Sequence, residues 1–157
     1  MLSSCGDDTY ESVIPEYQVN YSCNVNLVNA YLQQTHQTQL NCPGGYALVY
    51  NRSALNATDI IGCGGLLLLQ NYEGAFYAFD LACPYCYAQG NTGTKVKRLE
   101  MNEDGLTAVC TNCSSEFGSI MWGSPAPTAG KANEEKKILR QYKATLLSDG
   151  YTLVVSR

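Results

Sequence analysis

Alternating hydrophobic and polar residues run through much of this chain and predict β-strands. In residues 17–27, every second position is apolar, aromatic or cysteine, which is typical of a strand with one buried face. The segment 66–70 begins with consecutive leucines, so the strand predicted there is expected to be buried on both faces. Aromatic residues in the segment 75–81 predict its hairpin partner.

Further short strands are predicted wherever an apolar segment lies between turn residues. They occupy residues 46–50, 95–101, 106–109, 138–147 and 151–155, and the last two form a hairpin around Ser148-Asp149-Gly150. The polar or Pro/Gly-rich segments between them are predicted to be loops, and the charged run 133–137 a solvated turn or a turn of helix. We therefore predict an all-β domain over residues 14–157, preceded by a polar, acidic tether over residues 1–13.

Composition narrows the classes of function. A chain of 157 residues is long enough for one domain with its own core. Charged residues make up 15% and the net charge is −4, which argues against nucleic acid, because nucleic acid requires a basic face. The twelve tyrosines and the low charge favour a β-protein outside the cytoplasm, and eight cysteines fit a compartment that permits disulfides.

Four of the cysteines form two matched pairs, Cys83-Pro84-Tyr85-Cys86 and Cys110-Thr111-Asn112-Cys113. Each Cys-x-x-Cys turn presents two sulfurs from one tight loop, and a tetrahedral ion requires four such ligands. The sequence thus predicts that Cys83, Cys86, Cys110 and Cys113 bind a metal within a small metal-knuckle subdomain, residues 82–130.

The sequence says less about which metal or cluster the four cysteines bind. Zn²⁺ is the leading expectation, because two opposed turns supply a closed set of four thiolates. A single iron fits the same ligands, and a [2Fe–2S] cluster with four thiolates would have a low potential, roughly −400 mV. Two disulfides without any metal are a further alternative. A thioredoxin-type redox motif is not expected, because that motif starts a helix in a βαβ context.

The order of strand, cysteine loop, hairpin, cysteine loop, Gly/Pro loop and terminal hairpin resembles the Rieske domain. Cys83 and Cys110 match the two cysteines of its cluster motif, and Cys113 stands where the second histidine would be. Further matches are Ser115, Phe117 and the closing Leu139-Arg140-Gln141-Tyr142. The resemblance implies a Rieske-like antiparallel β-sandwich or barrel carrying a small rubredoxin- or zinc-ribbon-like subdomain.

The departures from the Rieske pattern change the expected chemistry. Tyr85 occupies the first histidine position, and the thiolate follows at Cys86. Gly130-Lys131-Ala132 stands where the Rieske pattern has Gly-Pro-Ala. The sole histidine, His36, lies in a distant polar segment, so the resemblance implies the fold with a four-cysteine site in place of the usual cluster.

The start of the chain, Met1-Leu2-Ser3-Ser4-Cys5-Gly6-Asp7-Asp8, resembles the end of a bacterial lipoprotein signal followed by an acidic export signal of the Bacteroidetes type. No basic or strongly apolar region precedes it here. The resemblance implies lipidation of Cys5, a membrane as partner, and a location in the periplasm or on the outer-membrane surface.

We expect a non-catalytic module with a structural zinc or single iron, because no paired carboxylates, nucleophile–base set or phosphate loop stands out. The alternatives are an electron-transfer protein with an iron centre and a metal-free, disulfide-stapled surface domain that binds through its Tyr- and Asn-rich loops. Among the remaining residues, Cys23 is expected on the inward face of a strand and Cys42–Cys63 is a candidate bridge. Trp122 is expected to pack as a lid on the cysteine site.

Overall fold

The computed structural model describes residues 9–26 and 40–157, and this part of the chain is mostly β-structure. The strands are β1 (Asn20–Asn24), β2 (Tyr46–Val49), β3 (Leu66–Gln70), β4 (Phe76–Asp80), β5 (Glu100–Met101), β6 (Ala108–Val109), β7 (Glu116–Phe117), β8 (Gln141–Leu146) and β9 (Thr152–Ser156). The α-helices are α1 (Pro84–Ala88) and α2 (Lys131–Glu134), and short 3₁₀ turns lie at Arg52–Ala54, Gly93–Lys95 and Ile120–Trp122. Within these residues, no helix has the length and apolar character of a membrane span.

Six of the strands form a curled antiparallel sheet in the order β1-β9-β8-β4-β3-β2. Hairpins join β3 to β4 and β8 to β9, as the sequence predicts. The two halves of the sheet meet at β4 and β8, where only Ala78 pairs with Tyr142 and Phe79 with Gln141. The result is a half-barrel whose two halves are joined by a short ladder.

The leucine run of β3 lies at the centre of the molecule. Leu66 and Leu68 pack into one hydrophobic cluster together with residues of β1 and β9. Leu67 and Leu69 pack into a second cluster on the opposite face. All four side chains are fully buried, so the expectation of a strand buried on both faces is confirmed.

The second cluster connects the sheet to residues 82–130, which we refer to as the cysteine segment. Three short strands of this segment form a separate antiparallel sheet in the order β5-β6-β7. The cluster includes Cys83, Cys86 and Cys110 beside apolar residues such as Leu99 and Phe117. The cysteine segment therefore covers one face of the larger sheet.

Several boundaries differ from the sequence-based prediction. The predicted strand 95–101 is mostly loop and 3₁₀ turn, with an isolated bridge from Arg98 to Ala82 and a strand only at Glu100–Met101. A helix, α1, follows the first cysteine, where the sequence analysis predicted none. Pro84 at its first position is a known signal for the start of a helix. Near the N-terminus, Glu11 exchanges backbone hydrogen bonds with Lys136 (3.0 Å) and Ile138 (3.0 Å), so it is attached to the domain.

Candidate metal centre

The first cysteine loop continues directly from β4 into α1. Cys83 is the N-cap of α1 in extended conformation, and Cys86 lies three residues later on the same side of the first turn. The backbone N–H of Tyr87 donates to the Cys83 carbonyl (2.9 Å), and the N–H of Cys83 donates to the Lys97 carbonyl (2.8 Å). The first cysteine loop is therefore the first turn of a helix, and a backbone hydrogen bond joins it to the segment that precedes β5.

The second cysteine loop is the tight connection between β6 and β7. The N–H of Cys110 donates to the Ser115 carbonyl (2.9 Å), and the N–H of Ser114 donates to the Cys110 carbonyl (2.8 Å). Ser114 has a φ of 60°, a left-handed conformation that few residues other than glycine adopt. The two Cys-x-x-Cys pairs thus use different backbone structures, a helix start and a hairpin turn.

The four sulfurs converge on one point. Every Sγ atom of Cys83, Cys86, Cys110 and Cys113 lies within 4.8 Å of the others. The Cys83–Cys113 distance is 3.5 Å and the Cys86–Cys110 distance is 3.7 Å, and both of these contacts join one loop to the other. All four are free thiols, three of them buried and Cys113 half-buried. This group of side chains can hold a metal ion.

Two polar side chains that the sequence analysis did not assign to the site contact the sulfurs. Asn112 donates its Nδ2 hydrogen to the Cys86 sulfur (3.3 Å). Ser115 is fully buried, and its Oγ lies 3.1 Å from the Cys113 sulfur while accepting a hydrogen bond from the Ala132 N–H (2.8 Å). Ser115 therefore connects the cysteine site to α2.

The approach of α2 to this loop requires a glycine. Gly130 has a φ of 79°, and a Cβ atom there would lie 2.3 Å from the Ser114 carbonyl oxygen. A side chain would push the loop 123–130 away from the second cysteine turn. The glycine at position 130 thus has a steric reason in this chain.

The thiols have unequal pKa values. The pKa of Cys110 is lowered to about 5, chiefly because Cys83 donates a hydrogen bond to it, with help from the backbone N–H groups of Cys113 and Asn112. The same hydrogen bond and burial raise the pKa of Cys83 well above its usual range, and burial raises that of Cys86 to about 11. Four thiolates packed this closely repel one another, so full ionisation requires a cation among them.

Asp80, at the end of β4, fixes the backbone that leads into the first cysteine loop. Its buried carboxylate accepts hydrogen bonds from the N–H groups of Cys63 (2.7 Å), Gly64 (2.8 Å) and Ala82 (2.9 Å). The Tyr142 hydroxyl donates a fourth (2.8 Å). Burial is the main influence on this carboxyl and raises its pKa, while these hydrogen bonds oppose the rise. Asp80 therefore ties the cysteine segment to β8.

Other residues singled out from the sequence lie apart from the sulfurs. Cys63 is a free thiol, so the candidate Cys42–Cys63 bridge is not formed. Cys23 is a thiol in β1, and burial raises its pKa to about 12. Trp122 is 68% exposed, so the expectation that it packs as a lid is wrong. Cys5 and His36 lie outside the described residues.

Comparisons of this chain with protein-family models, with curated proteins and with solved structures give no match. The case for a function therefore depends on the geometry of the four sulfurs and on the residues that position them.

Proposed function

We propose that Cys83, Cys86, Cys110 and Cys113 bind one tetrahedral metal ion, with Zn²⁺ preferred, and that this ion has a structural, non-catalytic role. The observation that carries the proposal is the mutual approach of all four sulfurs to within 4.8 Å, most of them buried. Free thiols held this way are a ligand set for a thiophilic cation.

The distances favour a single ion over a cluster. With Zn–S bonds of ~2.3 Å, the edges of a regular sulfur tetrahedron are about 3.8 Å long. The separations of 3.5 Å for Cys83–Cys113 and 3.7 Å for Cys86–Cys110 are close to that value. A two-iron cluster binds each pair of cysteines to a different iron, which would spread the two pairs apart. The compact group supports one metal.

A structural role fits the short strands of the cysteine segment, which otherwise depends on its packing against the larger sheet. β5, β6 and β7 are each two residues long, and strands of this length are not stable as an isolated sheet. A metal shared by α1 and the β6–β7 turn would join the two loops, and its binding energy would contribute to folding. Four protein ligands also leave no open position for substrate, which a catalytic zinc requires.

Electron transfer through a single iron is the second candidate. Iron accepts the same four thiolates, and the sulfur distances do not discriminate between the two metals. The half-buried position of Cys113 favours this candidate, because it gives an electron a short path from the site to the surface. An iron-loaded protein would be coloured and redox-active, whereas a zinc protein would be colourless.

A relationship to Rieske domains remains part of the proposal. It is supported by the order of cysteine loops and hairpins and by the interactions of matching residues, namely Ser115 with Cys113 and Tyr142 with Asp80. Lipidation of Cys5, with attachment to a membrane outside the cytoplasm, is supported by the sequence Leu2-Ser3-Ser4-Cys5 alone.

Elemental analysis with a thiol count, on protein purified without added metal, tests the proposal. We expect about one zinc per chain, lost in Cys86→Ser and retained in Cys23→Ser, a matched variant of a buried thiol outside the site. About one iron per chain would favour the electron-transfer candidate. Two irons with labile sulfide, or metal-free protein with oxidised cysteines, would overturn the single-ion proposal.

A further inference from the structure

A second concave site lies on the opposite end of the β5–β6 hairpin from the cysteines. It is a cavity of about 570 Å³, formed where this hairpin meets the turn before β2 and the β3–β4 turn. Its volume lies within the roughly 300–1,000 Å³ typical of small-molecule sites. The residues that line it are Pro43, Gly44, Tyr46, Tyr72, Met101, Asn102, Glu103, Asp104, Gly105 and Leu106.

Two tyrosine rings form walls of this cavity, and each lies beside a glycine of positive φ. The Tyr72 side chain is 60% exposed and lies over Gly44, where an added Cβ would be 3.2 Å from its hydroxyl oxygen. The Tyr46 ring is buried against Gly105, at 3.7 Å from the position of a Cβ there. The glycines thus leave room for the rings, and one ring remains accessible to a ligand.

The charge of the cavity is negative. Glu103 and Asp104 line it, and among its lining residues in the described structure there is no Lys, Arg or His. The Asp104 carboxylate is committed to the turn, since it accepts hydrogen bonds from the N–H groups of Leu106 (2.8 Å) and Thr107 (3.1 Å). These contacts lower its pKa, so it is ionised at neutral pH. The Glu103 carboxylate makes neither a hydrogen bond nor an ion pair with any described residue.

We infer that this cavity binds a small organic cation of the quaternary ammonium class, with Tyr72 against its methyl groups and Glu103 near its charge. Aromatic faces attract cations, and the attraction is largest for cations that are weakly hydrated. Met101 and Leu106 add apolar surface, which suits a methylated ammonium better than a hydrated metal ion or a primary amine. This binding site is separate from the four sulfurs and goes beyond the proposed metal-binding function.

NMR titration of the metal-replete protein tests the inference, with choline chloride as the probe and sodium chloride matching its ionic strength. Dimethylbutanol, the uncharged carbon isostere of choline, is the matched ligand control. We expect choline to shift the resonances of Tyr72, Met101 and Leu106 with a millimolar Kd, and the isostere to bind about fivefold more weakly.

Substitutions in the cavity distinguish the contribution of the Glu103 charge from that of the Tyr72 ring. Glu103→Gln should weaken choline binding about threefold to fivefold and leave the isostere unchanged, whereas Tyr72→Ala should weaken both ligands. Tyr151→Ala, at a 46% exposed tyrosine in the β8–β9 turn, should leave choline binding unchanged. Equal affinity for choline and its isostere, shifts centred outside the cavity, or no saturable shift would overturn the inference.

Discussion

The six-stranded sheet and the cysteine segment differ in what holds them together. The sheet buries apolar side chains on both faces, and the four leucines of β3 belong alternately to its two hydrophobic clusters. The cysteine segment has strands of two residues and a site of four free thiols. The stability of a region with long paired strands depends mainly on the shape and volume of its buried side chains. The stability of a region with very short strands around a metal site depends in addition on what its ligands bind. We therefore expect different treatments to unfold the two regions.

Loss of the metal is expected to have the largest effect, confined to the cysteine segment. Cys110→Ser, or a strong chelator, should lower the local unfolding free energy of residues 82–130 by at least about 5 kcal/mol, because structural zinc sites contribute roughly 10 kcal/mol or more. Hydrogen exchange measured by mass spectrometry should show fast exchange in β5–β7 and retained protection in β3 and β4. Cys63→Ser, at a half-buried thiol outside the site, is the control. Equal loss of protection in both regions would contradict the comparison.

A cavity created in the core of the sheet should destabilise the whole domain while the metal stays bound. Leu68→Ala removes a fully buried side chain of the first hydrophobic cluster and should destabilise the whole domain by about 3 kcal/mol. Urea unfolding followed by fluorescence gives this number, and elemental analysis of the folded variant should still find the metal. Loss of metal from the folded variant would indicate that the two regions are more tightly coupled than we propose.

Asp80 tests the connection between the regions. In Asp80→Asn, two of the four donors that the carboxylate now satisfies would face an amide N–H₂, so we expect a loss of about 2–3 kcal/mol in global stability. Asp149→Asn is the matched control, because Asp149 accepts similar hydrogen bonds from Tyr151 and Thr152 but is exposed. Its effect should be below about 1 kcal/mol. Similar effects from both variants would argue against a special role for Asp80.

The smallest expected effect comes from the residue that joins the second cysteine loop to α2. Ser115→Ala leaves the Ala132 N–H without its acceptor and removes a contact with the Cys113 sulfur. We expect a loss of about 1 kcal/mol and a metal affinity that falls up to about tenfold. Competition with a chromophoric chelator measures the affinity. An unchanged affinity with lowered stability would restrict Ser115 to the backbone contact.

Local patterns in the sequence identify the parts of this structure that depend on local interactions. The leucine run predicts a strand buried on both faces, because side-chain direction alternates along any strand. The turn at Ser148-Asp149-Gly150 predicts the β8–β9 hairpin in the same way. Likewise, two Cys-x-x-Cys pairs predict a four-thiolate group because each pair is already close in the chain.

Features that depend on distant segments were not predictable. In the sequence, Asp80 is only a polar residue near the end of a predicted strand. The fold brings Gly64 and Tyr142 to it as hydrogen-bond donors. The exposure of Trp122 depends on which way the 3₁₀ turn Ile120–Trp122 faces, which hydrophobicity alone does not determine. Asn112 lies inside the second cysteine pair, but its contact with Cys86 joins two loops that the sequence does not orient.

X-ray absorption at the edge of the bound metal tests the central claim most directly. For one ion held by Cys83, Cys86, Cys110 and Cys113, we predict a zinc spectrum fitted by four sulfur neighbours at ~2.3 Å, with no nitrogen or oxygen ligand and no second metal. A metal–metal vector, a mixed ligand set, or the absence of any bound metal in freshly purified protein would contradict the account.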